Sequence, residues 1–436
     1  MTARPRLLFL CSTLPYPPDS GQAIRSFHVL RLLARAFDVT ALCFYRRTPL
    51  SFGRPEGWTM EQEVAQRRTA LENHAHVEVE AFPIPQEHST WRLAWDHLRS
   101  IGLKRVYSAF TFDSSTARRR IADLLDTHHF DVIHLDSIML SGYLPLLGDR
   151  PVVCVHHNIE SILLRRRAQA EKSLWRRAYL LHQARLMEQE MQRSCGRCRL
   201  NIVVSEAEQM ELQRIVPEVN GTVVPNGVDI EAFQPGAGRE EGLVFVGGTN
   251  WFPNRDALQY FCAAILPRVR GSGEVAPVRW LGGGASDEAR RLYRDRYAVE
   301  LTGYVPDVRP YVRDAACYVV PLRVGGGTRL KILDAWAMGK AVVSTSVGCE
   351  GLAAEDGRNI LIRDDPDGFA QAVCAVLRDG GLRRRLGTEG RQTVERNYSW
   401  EEIGRSMLNL YRSLLRGVEP THADSSKVTH SAINIA

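Results

Sequence analysis

PLRVGGGTRLKILDAWAMG, residues 321–339, carries the sharpest local signal in the chain. A β-branched run at 318–321 ends at a proline, three glycines follow (Gly325, Gly326 and Gly327), and a helical pattern begins near Thr328. Glycines let a backbone approach a ligand closely, and a helix N-terminus offers free amides and a partial positive charge to a phosphate. Arg329 and Lys331 add two full charges there, and Asp334, about one turn further on, suits hydrogen bonds from ribose hydroxyls. Together these parts suit a diphosphate and its departure as a leaving group. An ordinary glycine turn into an amphipathic helix with surface cations uses the same pattern, and a mid-helix Asp is commonly just exposed. In either reading, a strand running through a glycine turn into a helix is the unit of a parallel α/β sheet.

That unit recurs outward from this block. Strand-like runs at 243–246, 278–281, 300–302, 318–321, 341–344 and 359–362 alternate with helical patterns near 254–268, 329–338 and 368–378. An earlier series runs through 7–11, 39–44, 77–82, 131–135, 152–155 and 202–204, with helical patterns at 23–37 and 115–128. The rhythm predicts doubly wound parallel sheets. A chain of 436 residues also exceeds what one core usually serves. The expected organisation is a Rossmann-like N-terminal domain (1–228), a Gly-, Pro- and charge-rich linker (229–242) and a second such domain (243–400). A terminal helix (401–416) packing back toward the first domain and a disordered polar tail (417–436) complete it. Ligands bind beyond the carboxyl ends of strands in open α/β sheets, so the site is expected in a cleft between the domains.

Composition excludes several classes. The chain is 44% hydrophobic and 24% charged, ordinary for a soluble globular protein. No apolar stretch approaches the roughly 18 residues of a membrane span. The N-terminal apolar run of about five residues is too short for a signal peptide's core, so the expected location is the cytoplasm. Cys11, Cys43, Cys154, Cys317 and Cys374 sit in apolar segments and read as reduced core residues. Cys195 and Cys198 form a CxxC without a second pair at zinc spacing. There is no GxGxxG after the first strand and no GxxxxGK[ST], which argues against a dehydrogenase or a P-loop NTPase. Asp365-Pro-Asp367 spells a metal-binding DxD, but it precedes the helical stretch 368–378, where an Asp serves as a cap.

The 321–339 block resembles the donor-site helix of family-4 retaining glycosyltransferases, which have the GT-B fold of two facing Rossmann-like domains. In that family two acidic residues eight positions apart frame the helix, and the second binds the donor's ribose. Asp334 matches the second position; the first falls on Gly326, so that acidic residue is missing and its sugar-hydroxyl contact is unassigned. VPNGVD (224–229) is similar to the family's signature before the linker, and VFVGGTNWFPN (244–254) resembles its first nucleotide-domain strand and loop. Gly247 and the residues after it lack the Arg and Lys often found there, so Arg329 and Lys331 are expected to supply that charge. LTGYV (301–305), with Gly303 and Tyr304, is similar to the loop whose backbone contacts the base. In the N-terminal domain, His157 matches the family's histidine after a cleft-facing strand, and Gly21 the glycine that lets the first loop approach the donor. PYPPDSGQ and HHNIES resemble a subgroup found with bacterial exopolysaccharide systems.

The resemblance implies transfer of a sugar from a nucleotide-diphosphate donor with retention. Arg329, Lys331 and His157 would be catalytic; Gly21, Gly247, Gly303, Tyr304, Gly325, Gly326, Gly327, Thr328 and Asp334 would bind the donor, with no metal and no cofactor. Two rivals stay open: a nucleotide-sugar epimerase of the same fold, and a non-catalytic binding protein, which the missing acid at Gly326 makes thinkable. The implied acceptor is a glycan or lipid-linked glycan. Between 160 and 199 lie ten Arg or Lys against four Glu, so that stretch alone matches the whole chain's net charge of +6. Such a stretch can be a solvated helix face or lie on an anionic surface, and the implied lipid-linked acceptor favours residues 165–199 as a contact with the inner face of the cytoplasmic membrane. Nucleic acid is not expected, because no basic–aromatic interleaving or known module is present.

Overall fold

Short runs of Val, Ile, Leu, Phe and Cys form two all-parallel sheets in the computed structural model, which describes residues 4–47, 57–88, 90–325 and 329–416. Such runs, apolar on both faces, are what helices on both sides of a parallel sheet require. The chain divides into two units: residues up to Pro225 together with the chain from Gly404, and Asn226–Ile403.

The first unit is built on β1 (Arg6–Cys11), β2 (Asp38–Tyr45), β3 (Glu78–Pro83), β4 (Val132–Leu135), β5 (Val152–Val155), β6 (Leu200–Val203) and β7 (Gly221–Val223). They lie in the order β3-β2-β1-β4-β5-β6-β7. The second unit holds β8 (Leu243–Val246), β9 (Val278–Leu281), β10 (Val299–Gly303), β11 (Cys317–Val320), β12 (Val342–Ser344) and β13 (Leu361–Ile362), in the order β10-β9-β8-β11-β12-β13. Each sheet changes winding direction beside its first strand, between β1 and β4 and between β8 and β11. Those switch points are where doubly wound sheets open a crevice at their carboxyl ends.

Most elements fall within two residues of the sequence expectation, and the departures have physical causes. The pattern at 254–268 resolves into the helix Phe252–Tyr260, a π-turn Phe261–Ile265 and the short helix Leu266–Gly271. The basic stretch is two helices, Glu160–Ala170 and Leu174–Ser194, interrupted at 171–173. Helices Met60–Ala75, Thr90–Leu103, Asp287–Tyr297 and Gly380–Asn397 had no counterpart in the expectation. Residues 229–242, expected as a linker, are instead pinned along the second unit. Glu241 N donates to Asp314 O (2.8 Å), and Arg391 Nη1 donates to Phe233 O (2.9 Å). A Cβ on Gly238 would lie 2.2 Å from Arg313 O, so this glycine serves close packing.

The helix Trp400–Leu415 ends in the first unit. The Tyr411 hydroxyl there meets His134 Nδ1, and a Cβ on Gly404 would collide with Leu32 at 2.4 Å. The tail expected at 417–436 lies outside the described residues. Helix Leu330–Ala337 is fixed by the fully buried Trp336, whose indole donates to Asn359 O (2.8 Å). Gly390 leaves room for that ring: a Cβ there would sit 2.4 Å from Trp336 Cδ1. All nine cysteines are buried and unbridged. Asp365 caps the helix Pro366–Arg378 by accepting from Gly368 N (2.8 Å), while Asp367 pairs with Arg268 (2.7 Å).

Candidate functional site

In the second unit the carboxyl ends of β8, β9 and β10 are laced together by their backbones. Gly247 N donates to Leu281 O (2.7 Å), Thr249 N to Gly283 O (2.8 Å) and Gly282 N to Gly303 O (2.9 Å). Side chains are excluded from this crossing, since a Cβ on Gly282 would stand 2.5 Å from Gly248 N. Gly282 and Gly303 also hold φ values of 134° and 77°, a region that favours glycine. Tyr304 follows on the surface.

The helix after β11 reaches this crossing through Lys331. Its Nζ donates to Asn254 Oδ1 (2.8 Å) and stands 4.1 Å from the Phe245 ring centroid, a cation–π contact. Asn254 Nδ2 in turn donates to Gly248 O (3.0 Å). Burial, and then the neighbouring Arg329, lower the Lys331 amine to about 7. Burial also pushes the Asp334 carboxyl up to about 7, and that carboxylate has no hydrogen bond or ion pair among the described residues. The Tyr318 hydroxyl, buried and without a close hydrogen-bond partner among the described residues, is raised by burial and then by Asp334, against a smaller lowering by the Val246 backbone. A fully buried hydroxyl is normally satisfied, so Tyr318, with the half-buried Asp334 near it, marks a place suited to outside donors and acceptors.

Arg329 has a different surrounding. It is 3% exposed, donates to Val347 O from Nε (3.1 Å) and Nη2 (3.0 Å), and lies 3.5 Å from Glu350. Gly325 gives the guanidinium room, since a Cβ there would be 3.0 Å from Nη1. Gly326, Gly327 and Thr328 lie outside the described residues.

In the first unit the centre is Asp136, just after β4 and fully buried. Its carboxylate accepts from Ser26 Oγ (2.6 Å) and Cys11 Sγ (3.2 Å), and meets Nε2 of His134 and of His157, each at 3.3 Å. Burial would raise its pKa, but His157, then His134, hold it well below the usual carboxylate range. Neighbouring His156 points elsewhere: its Nε2 pairs with Asn201 Oδ1 (3.1 Å), and burial lowers it to about 4. Of the two adjacent histidines, His157 alone joins the Asp136 group.

Gly21 opens the helix Gly21–Leu33 on the exposed side of the same strand ends. The loop before it is held by Arg67, which donates to Tyr16 O (2.6 Å) and Leu14 O (2.9 Å). Arg25, buried one turn on, donates to Pro225 O (2.9 Å) and Val224 O (2.8 Å). Sequence reasoning passed over Asp136 and Asn254. Asp136 directly follows the strand-like run 131–135 and Asn254 closes the marked stretch 244–254, and those positions were the available signal. Among the described residues no group of three His, Cys, Asp or Glu is arranged to hold a metal ion, and no helix is long and apolar enough to cross a membrane.

Residues 19–232 match the family described as Glycosyltransferase Family 4, and residues 240–379 match Glycosyl transferases group 1. The chain is 27% identical over 201 residues to a phosphatidyl-myo-inositol mannosyltransferase of Mycolicibacterium smegmatis, covering 44% of this chain and 51% of that protein. It is 26% identical over 220 residues to a lipopolysaccharide core biosynthesis mannosyltransferase of Rhizobium leguminosarum bv. viciae, covering 45% and 61%. The chain thus spans about half the length of the curated relatives it matches. Among solved structures, Anabaena HepE in complex with UDP superposes with a TM-score of 0.62 at 14% identity, over 94% of this chain and 100% of that one. At that identity the likeness speaks for the fold alone.

Proposed function

This chain belongs to the family-4 glycosyltransferases of GT-B fold, and from that premise we propose that it moves a sugar from a nucleoside-diphosphate sugar to an acceptor hydroxyl with retention of anomeric configuration. The bond between the anomeric carbon and the diphosphate oxygen breaks, and one to the acceptor oxygen forms on the same face. The acceptor's proton leaves with the diphosphate.

The observation that carries this reading is Lys331, a half-buried amine held by Asn254 over a glycine crossing at a topological switch point. An amine lowered to about 7 by burial gains most from an arriving anion, which restores the charge that burial opposes. Lys331 with the helix N-terminus then stabilises the departing diphosphate, so no metal is required. Arg329 shapes the turn and adds charge behind it. Asp334 accepts from the ribose hydroxyls, while Gly247, Gly303, Tyr304 and Gly325 line the donor, the first two by backbone approach. In the first unit, His157, set by Asp136, hydrogen-bonds a sugar hydroxyl at the reacting region, and Gly21 gives the first loop its approach.

The relatives act in glycolipid and lipopolysaccharide core synthesis by their names, which favours a glycan or lipid-linked glycan acceptor in cell-surface glycan or exopolysaccharide synthesis. Such an acceptor implies work at the inner face of the cytoplasmic membrane, with residues 165–199 toward the anionic surface. The test is incubation of the protein with a panel of nucleotide sugars, with and without lipid-linked acceptor and EDTA, followed by NMR of the product's anomeric centre. Transfer that persists in EDTA with retained configuration is expected. Conversion of donor without acceptor, inverted product, or loss in EDTA reversed by Mg²⁺ would contradict the proposal.

A further inference from the structure

Helix Thr90–Leu103 of the first unit is built inside out. Its inward side chains are polar. Asp96 is 0% exposed and is reached by Gln86 Nε2 (3.2 Å) and Arg92 Nε (3.3 Å). Ser100, equally buried, donates to Arg105 O (2.7 Å) and accepts from Gln183 Nε2 (2.9 Å), and His97 meets the Tyr179 hydroxyl. Its outward side chains are apolar: Trp91 is 84% exposed, and Trp95, Leu98 and Ile101 each more than half. Steps of four and three residues set Trp91, Trp95 and Leu98 on one ridge. A surface helix surrounded by water alone turns its apolar stripe to the core and its polar face outward.

The neighbouring helix extends the same face. The pairings His97–Tyr179, Ser100–Gln183 and Arg105–Glu190 advance together, so helix Leu174–Ser194 runs alongside in the same direction. Its first residues, Leu174 and Trp175, therefore fall level with the Trp91 end, and Trp175 is 88% exposed. Lys104, Lys172, Arg176 and Arg177 are exposed around this apolar area. Tryptophan prefers the boundary between headgroups and acyl chains, and flanking cations favour anionic lipid.

We infer that Trp91, Trp95, Leu98 and Ile101, continued by Leu174 and Trp175, form a surface that enters the headgroup–acyl boundary of an anionic bilayer. The inference deepens the membrane contact proposed for residues 165–199 and rests on it for charge. It moves the main anchor to a helix outside that basic stretch.

The test is co-sedimentation of the full chain with phosphatidylglycerol–phosphatidylcholine vesicles and with phosphatidylcholine alone, using a Trp91→Ser/Trp95→Ser/Leu98→Ser variant and an Arg176→Gln/Arg177→Gln variant. All five positions are exposed, and an unchanged unfolding midpoint checks each fold. Wild type should pellet with the anionic vesicles, and acyl-brominated phosphatidylglycerol should quench its tryptophan fluorescence. The apolar triple variant should partition at least tenfold less and lose most of that quenching. If the triple variant binds like wild type while the arginine variant does not, the apolar anchor is overturned and the charge-based membrane contact stands. If no protein pellets at low salt, both fall. If no protein pellets and sedimentation velocity shows a dimer that the triple variant abolishes, the face belongs to a second copy and the inference is overturned.

Discussion

Asp136 in the first unit and Lys331 in the second both lie beyond the strand ends of a doubly wound sheet, the first fully buried and the second half-buried. Their surroundings differ. Asp136 has donors on every side, from Ser26, Cys11, His134 and His157, and its carboxylate is held low despite burial. Among the described residues Lys331 meets the neutral Asn254 and the face of Phe245, and burial wins. Asp334 nearby has no partner at all among the described residues and moves the opposite way, also toward about 7. A satisfied buried charge contributes to the fold. An under-satisfied one costs stability until a ligand completes it, and the second unit holds two such groups of opposite sign.

The comparison breaks first at Asp136. Asp136→Ala strands three buried partners and should destabilise the first unit by about 3–5 kcal/mol in urea unfolding, the scale of breaking a buried charge pair. A loss below about 1 kcal/mol would mean the group is not structural. Next in size, Lys331→Gln should leave the fold intact but lower turnover about tenfold to a thousandfold, the scale of losing one preorganised charge stabiliser. Unchanged turnover with saturating donor would remove Lys331 from the mechanism.

Asp334→Asn sharpens the contrast further. Its folded pKa is raised, so the native state binds the extra proton between about 4 and 7 and stability falls as pH rises through that window. Above about pH 7 the wild type carries the cost of ionising a half-buried, unpaired carboxylate. The variant should then melt a few degrees higher at about pH 8 and only marginally differently near pH 4. It should also bind nucleoside diphosphate about tenfold more weakly, from lost ribose contacts. Lys331 runs the other way: the unfolded chain keeps the proton up to about 10, the folded chain only to about 7. Its contribution to stability therefore rises with pH across that window. Lys331→Met should flatten that slope, the smallest of these effects, readable in thermal scans from about pH 7 to 10.

The sequence made the strand–helix rhythm legible because parallel strands are short, apolar on both faces and followed by glycine turns, as at Gly247, Gly282 and Gly303. It marked His157 by position but not Asp136, whose importance comes from residues of three other segments meeting it beside the adjacent His134. Arg329 looked like a free cation, whereas Val347 and Glu350, remote in sequence, occupy it. Helix Thr90–Leu103 shows a different limit. Periodicity reveals that a helix has two faces, but which face turns inward depends on what its neighbours offer. Here Gln183, Arg105 and Tyr179 offer polar partners.

The most direct test of the account is calorimetric titration of UDP and GDP into wild type and Lys331→Gln at about pH 8, in buffers of differing ionisation enthalpy. There the nucleotide is fully ionised and the free Lys331 amine mostly neutral. The account predicts that the tighter-binding nucleotide draws a large fraction of one proton from the buffer in wild type and close to none in the variant, with affinity reduced. Equal affinity and equal proton uptake in the two proteins would show that the diphosphate does not meet Lys331, and would contradict the account.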